Sequence, residues 1–118
     1  MRQSMRGSML DLQRAICDKY NSKMYGADMG MKVGIALETL NIEPMHAMRT
    51  ADVNGTTGWY IWCGEYSPDA DFFKPLCANH LNKYCPHIIK YLALEPGFRV
   101  LIDRAGYEDV WYDEELNA

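Results

Sequence analysis

The stretch Thr56-Thr57-Gly58-Trp59-Tyr60-Ile61-Trp62-Cys63-Gly64-Glu65-Tyr66 constrains this chain more than any other. It holds two of the three tryptophans within four positions. Side chains alternate along an extended chain, so Trp59 and Ile61 fall on one face and Tyr60 and Trp62 on the other. Aromatic and β-branched residues between two glycines predict a central strand. Either both its faces are covered or one is left for a partner. Trp59 and Ile61 are read as core, while Tyr60 and Trp62 stay open between core and partner surface. Gly64-Glu65 ends the strand, and Ser67-Pro68-Asp69 begins a loop.

The flanking sequence supplies further elements. Met9, Leu12, Ile16, Tyr20 and Met24 recur at helical spacing, which predicts a helix over 9–24 with Ser8 as its N-cap. Residues 31–35 alternate as a short strand, and 36–41 form a helical turn or continue that strand. Pro44 interrupts. Residues 45–50 and 58–64 then read as an antiparallel hairpin across a loop containing Asn54-Gly55. Residues 67–75 form a loop. Short helices follow over 76–84 and from Pro86, a residue suited to a first helical position. Phe98 to Arg104 is a strand, Ala105-Gly106 a tight turn, and Tyr107 to Tyr112 the partner strand. Asp113 to Ala118 is an acidic, frayed tail. The expected fold is α+β. It has a mainly antiparallel twisted sheet of about five strands, an N-terminal helix and two short helices between strands.

At 118 residues, 1–118 is read as a single domain with one core. Its first eight residues are set aside as disordered or as an expression or alternative-start remnant. Residues 1–50 carry seven Lys/Arg against five Asp/Glu, whereas residues 51–118 carry five against eleven. The half that includes the aromatic strand is therefore at −6. That disfavours direct nucleic-acid binding, which needs a basic footprint. It suits a basic protein partner steered in by charge, or simply a solvated surface. No apolar run is long enough to span a bilayer, and no signal-peptide core follows Met9. No membrane association and a cytoplasmic location are expected.

Cys17, Cys63, Cys77 and Cys85 form no Cys-x-x-Cys pair and are read as reduced thiols. Cys77-x-x-His80 followed by Cys85-x-His87 is the sharpest metal or thiol-enzyme signal, because thiolate and imidazole suit tetrahedral zinc. The spacing matches no zinc ribbon, and Pro86 separates Cys85 from His87. Burial explains these residues better, so no metal and no cofactor are assigned. A small metal-binding or thiol-dependent enzyme using these four side chains is the second reading. A structural or regulatory module of a larger assembly is the third. Cys63 lacks any motif that places a histidine beside it and is read as core rather than nucleophile.

Tyr60, Trp62, Tyr66, Phe72 and Phe73 lie in sequence beside Glu65, Asp69 and Asp71. Large aromatic anchors next to acids suit recognition of Arg or Lys on a partner. The same aromatics also suit packing of the loop onto the sheet. Trp62, Glu65, Tyr66, Asp69, Asp71 and Phe73 are the candidate partner-binding residues. Gly58, Trp59, Pro86, Tyr91 and Gly97 are read as fold determinants.

Residues 45–112 resemble immunity family thirty-three of bacterial polymorphic-toxin systems, formerly a domain of unknown function. The likeness rests on an ordered series. Met48-Arg49 ends a strand, Gly58-Trp59 and Gly64-Glu65 frame the central segment, and Pro68-Asp69 sits in the loop. Pro86, Ile88 or Ile89, Tyr91-Leu92 and Pro96-Gly97 follow in order. Thr57, Trp62-Cys63 and Glu65-Tyr66 depart from the usual Ser, Phe-Ser and Asp-Glu, and the N-terminal helix lies outside the likeness. The resemblance implies a non-catalytic protein that neutralises a cognate toxin by binding it. If that toxin is a nuclease, the acidic half would stand in for a phosphate backbone.

Overall fold

The computed structural model describes residues 2–51 and 54–117. Helix α1 (Arg2–Lys19) leads into strands β1 (Lys32–Ile35), β2 (Met45–Arg49), β3 (Thr56–Cys63), β4 (Lys74–Cys77), β5 (Phe98–Ile102) and β6 (Glu108–Tyr112). Between β4 and β5 run a 3-10 turn at Ala78–His80, helix α2 (Leu81–Tyr84) and a 3-10 helix at Pro86–Tyr91. Among the described residues the strands make one sheet in the order β4-β1-β3-β2-β5-β6. Every neighbouring pair is antiparallel except β1 and β3, which run parallel. The fold is α+β with six strands, one more than the sequence pattern predicts.

The extra strand is β4. Lys74-Pro75-Leu76-Cys77 reads as loop and helix start, yet it pairs with β1 from Lys32↔Cys77 to Ile35↔Lys74. A proline is tolerated there because the strand is at the sheet edge. The β2–β3 hairpin forms as expected, antiparallel, with pairs running from Met45↔Cys63 to Arg49↔Trp59. Asp52 and Val53 of its loop lie outside the described residues, while Asn54-Gly55 makes a turn. Gly58 has φ +85°, and a Cβ there would stand 2.3 Å from the Thr50 carbonyl oxygen, so only glycine fits.

Helix α1 differs from the predicted span at both ends. Its backbone is helical from Arg2, so Ser8 lies inside it rather than capping it, and it stops at Lys19 instead of reaching Met24. Met1 lies outside the described residues. Of the predicted apolar stripe, Ile16 is buried, but Met9 and Leu12 are exposed. Among the described side chains, docking begins where Gln13 Nε2 donates to the Ile89 carbonyl at 2.9 Å, and it continues through buried Ile16 and Cys17. Tyr20 and Met24 still pack on the core, from the segment after the helix. The C-terminal tail forms a 3-10 turn at Glu114–Asn117. Among the described residues no helix is long and apolar enough to cross a membrane.

Helices α1 and α2 and the 3-10 segments Ala78–His80 and Pro86–Tyr91 pack on one sheet face. Val33, Ile35, Ala47, Trp59, Ile61, Cys63, Phe98, Val100 and Val110 point into this layer and meet Ile16, Leu81, Ile88, Tyr91, Leu92 and Leu94. Complete burial of each large aliphatic side chain contributes about 1.5–3 kcal/mol before the entropy of ordering it. Among the described residues none of these helices covers the opposite face.

A charge sits inside this core. Arg49, 1% exposed, ends β2. Its Nε donates to the Thr57 carbonyl at 2.9 Å. Its Nη1 lies 2.9, 3.1 and 2.7 Å from the carbonyls of Gly26, Leu92 and Leu94. The guanidinium also lies over the rings of Tyr25 and Trp59. It thereby ties β3 to the loop after α1 and to the turn before β5. Arg49→Met leaves those carbonyls without their charged donor, and urea unfolding should show a loss of about 3–5 kcal/mol.

A second polar fastening joins α1 to β6. Glu108 accepts hydrogen bonds from the Tyr20 hydroxyl, from Tyr91 Oη at 2.6 Å and from Lys19 Nζ at 3.1 Å. Burial pushes the Glu108 carboxyl up, but these three donors together outweigh it and bring it down to about 2. A carboxyl more acidic in the folded than in the unfolded state stabilises above its unfolded value of about 4.3. That contribution is lost as pH falls toward 2. Acid titration followed by circular dichroism should show up to about 3 kcal/mol of stability disappearing through this range. Glu108→Gln should be less stable at pH 7 and lack that acid-sensitive portion.

Candidate functional site

The sheet face without helices is built by the residues that alternate with the core. Across β2 and β3, His46 stands opposite Trp62 and Met48 opposite Tyr60. On the other side of β2, Leu101 faces His46 and Arg99 faces Met48. Trp111 and Asp109 of β6 extend the same two rows. Tyr60 is admitted by Gly34 of β1, where a Cβ would stand 2.7 Å from the tyrosine ring. The question left open for Tyr60 and Trp62 is thus resolved as to side: they lie away from the helices.

The loop between β3 and β4 folds back over part of this face. Trp62 is the centre of the resulting cluster. His46 stacks parallel to it, with ring centroids 4.9 Å apart and planes 6° off. Tyr66 and Phe73 meet it edge-on at 5.5 and 5.9 Å. Phe72 packs on Phe73 at 4.9 Å, and Phe73 packs on Tyr60 at 5.2 Å. Edge-to-face contacts of this kind contribute about 0.5–1.5 kcal/mol each beyond their buried area. Trp62 is only 6% exposed, and its indole Nε1 is buried without a hydrogen-bond acceptor. Tyr66 is 55% exposed. Burial, aided by the Arg99 charge and opposed by a backbone hydrogen bond at Gly64, holds His46 below the usual imidazole range. The stacked imidazole is therefore neutral at pH 7.

The six candidate residues divide into two groups. Trp62, Tyr66 and Phe73 are brought into one cluster. Asp69 and Asp71 line a cleft of about 450 Å³ with Phe72, Leu37, Lys74 and Glu38. Glu65 is exposed but is not part of that cleft. His46 and Glu38 belong to the arrangement and were not singled out by the sequence. The hairpin register gives His46 once the pairing is known. Glu38 comes from the 3-10 turn Leu37–Thr39, and its approach to the loop is a tertiary event.

The thiol–imidazole reading does not assemble. Among the described residues no group of three or more His, Cys, Asp or Glu side chains is placed to hold a metal ion. Cys85 is buried, and burial pushes its thiol up to about 12. The Cys77 sulfur instead points at the carbonyls of Met29 and Gly30, at 3.8 and 3.6 Å. Cys63 and His87 both line a pocket of about 320 Å³. Burial nonetheless raises the Cys63 thiol, which keeps it protonated at neutral pH.

The chain has no match among curated proteins or among solved structures. A family model, the Imm33-like domain, matches residues 12–113. It reaches well beyond the 45–112 span of the sequence resemblance and includes the docked part of α1. With most of its length matched, the chain belongs to the Imm33-like domain family, a family of immunity proteins.

Proposed function

We propose that this protein binds a cognate bacterial toxin and neutralises it without catalysis, by covering the toxin's active site or substrate cleft. Family membership supports a toxin partner in general. The observation that carries the finer reading is the aromatic cluster on the helix-free sheet face. There the exposed ring of Tyr66 meets nearly buried Trp62 edge-on, and Phe72 of the same cluster lines a cleft with the exposed Asp69 and Asp71. Rigid aromatic anchors beside acids give affinity through the rings and orientation through the charges. The proposed contact residues are Trp62, Glu65, Tyr66, Asp69, Asp71 and Phe73, joined by His46 and Glu38. The proposed toxin surface is basic. In a nuclease it would be the phosphate-binding cleft, with the acidic half of the chain taking the place of nucleic acid. The proposed compartment is the cytoplasm, and no direct nucleic-acid binding is proposed.

The test uses the toxin encoded by the neighbouring gene and isothermal calorimetry. Tyr66→Ala and the pair Asp69→Lys/Asp71→Lys should each weaken the complex by roughly tenfold or more. Asp69 and Asp71 are exposed, so the charge-reversed pair should move the thermal midpoint by no more than a few degrees, whereas Tyr66→Ala also loses its ring contacts and should lower it further. Affinity should also fall as salt rises. Wild-type affinity in both variants would remove this face from the interface. A complex indifferent to salt would end the charge-mimicry reading.

A further inference from the structure

The two edges of the sheet are unequal. Edge strand β4 has four residues. The Ala78 amide donates to the Met31 carbonyl, so alternate positions from Ala78 bond to β1 and Pro75 faces outward with no N–H to offer. That edge is blunted against strand addition. Edge strand β6 carries no such protection. Its pairing with β5 is unbroken from Phe98↔Tyr112 to Ile102↔Glu108, without a bulge or a proline. The Asp113 amide donates to the Gly97 carbonyl and the Asp103 amide to the Tyr107 carbonyl. In an antiparallel ladder this parity turns the odd-numbered positions of β6 toward β5. The N–H and C=O groups of Glu108, Val110 and Tyr112 then point outward, and among the described residues no strand lies beyond them.

The side chains along this edge are specific. Trp111 is 40% and Tyr112 50% exposed. Residues 107–117 contain five Asp/Glu and no Lys or Arg. Lys19 pairs with Glu108 and Arg99 with Asp113. Asp109, Glu114 and Glu115 remain exposed to solvent.

We infer that the outer edge of β6 docks an extended basic segment of a partner protein as an additional antiparallel strand. Main-chain hydrogen bonds to Glu108, Val110 and Tyr112 hold it. On the helix-free side, Asp109 and Trp111 receive its cations, one by charge and one by the indole face. On the helix side, half-exposed Tyr112 meets its apolar residue, while Val110 keeps its side chain in the core and offers only its main chain. The segment therefore alternates basic and apolar positions. A second copy of this chain is the poorer occupant, because antiparallel pairing of two β6 strands aligns two acidic runs. The inference does not depend on the toxin reading, since β6 is separated from β3 by β2 and β5.

A seven-residue peptide of alternating Arg and Val, titrated into the full chain and followed by amide exchange in NMR, tests it. Saturable binding should slow exchange at least tenfold at the amides of Glu108, Val110 and Tyr112. The same peptide N-methylated at the residues facing β6 should not bind. The exposed triple variant Asp109→Lys/Glu114→Lys/Glu115→Lys should bind at least tenfold more weakly while keeping its thermal midpoint. Any of three results would overturn the inference: protection centred elsewhere, undiminished binding by the triple variant, or no saturable binding. A dimer in sedimentation that protects those three amides without peptide would also overturn it, in favour of a second copy.

Discussion

The buried guanidinium of Arg49 is the interaction on which the rest of the architecture depends. A charge in a hydrophobic interior is tolerated only when its donors are satisfied. Here they are met by backbone carbonyls from three separate parts of the chain. Those carbonyls belong to loops and to the strand start at Thr57, where regular secondary structure supplies no partner. The arginine therefore does for irregular backbone what the ladder does for strands. Trp59 assists it by donating its indole N–H to the Leu92 carbonyl at 3.1 Å. The Met48-Arg49 step of the family resemblance thus has a physical cause, and it is not a surface contact.

With the irregular backbone fixed on the helix side, the other sheet face is left without a layer of helices. The sheet has one layer of helices, so its second face has to be solvated, partnered or covered by loop. The chain uses loop cover for Trp62 and leaves Tyr66 outside. Packing and recognition, posed as alternatives by the sequence, are combined in one cluster. The inner rings hold the loop in place, and the outer ring and acids are what the loop presents. The buried Trp62 N–H without an acceptor is a cost that a better-packed core would avoid.

What could be read in the sequence was what depends on local period. The alternation of β3 separated Trp59 and Ile61 from Tyr60 and Trp62 correctly, and the hairpin and the β5–β6 pair followed from turn signals. Periodicity failed where docking decides. The stripe Met9, Leu12, Ile16 is amphipathic along its length, yet only its later part meets the sheet. Tyr20 has the spacing of a helical core position, but it follows the helix and reaches Glu108. Strand β4 carries a proline and no alternation. It is extended because the parallel alignment of β1 with β3 offers an edge, which no local pattern encodes. The site was legible in part. Its rings are neighbours in sequence, while His46 and Glu38 join through register and tertiary packing.

The three tryptophans occupy three settings. Trp59 is sealed beside Arg49, Trp62 is wedged between an imidazole and a phenol ring, and Trp111 stands at the rim of the sheet. Each indole is a fluorophore whose emission follows its surroundings. The molecule therefore carries built-in optical probes of its interior, its aromatic platform and its free margin, and single-tryptophan versions would let each region be watched separately.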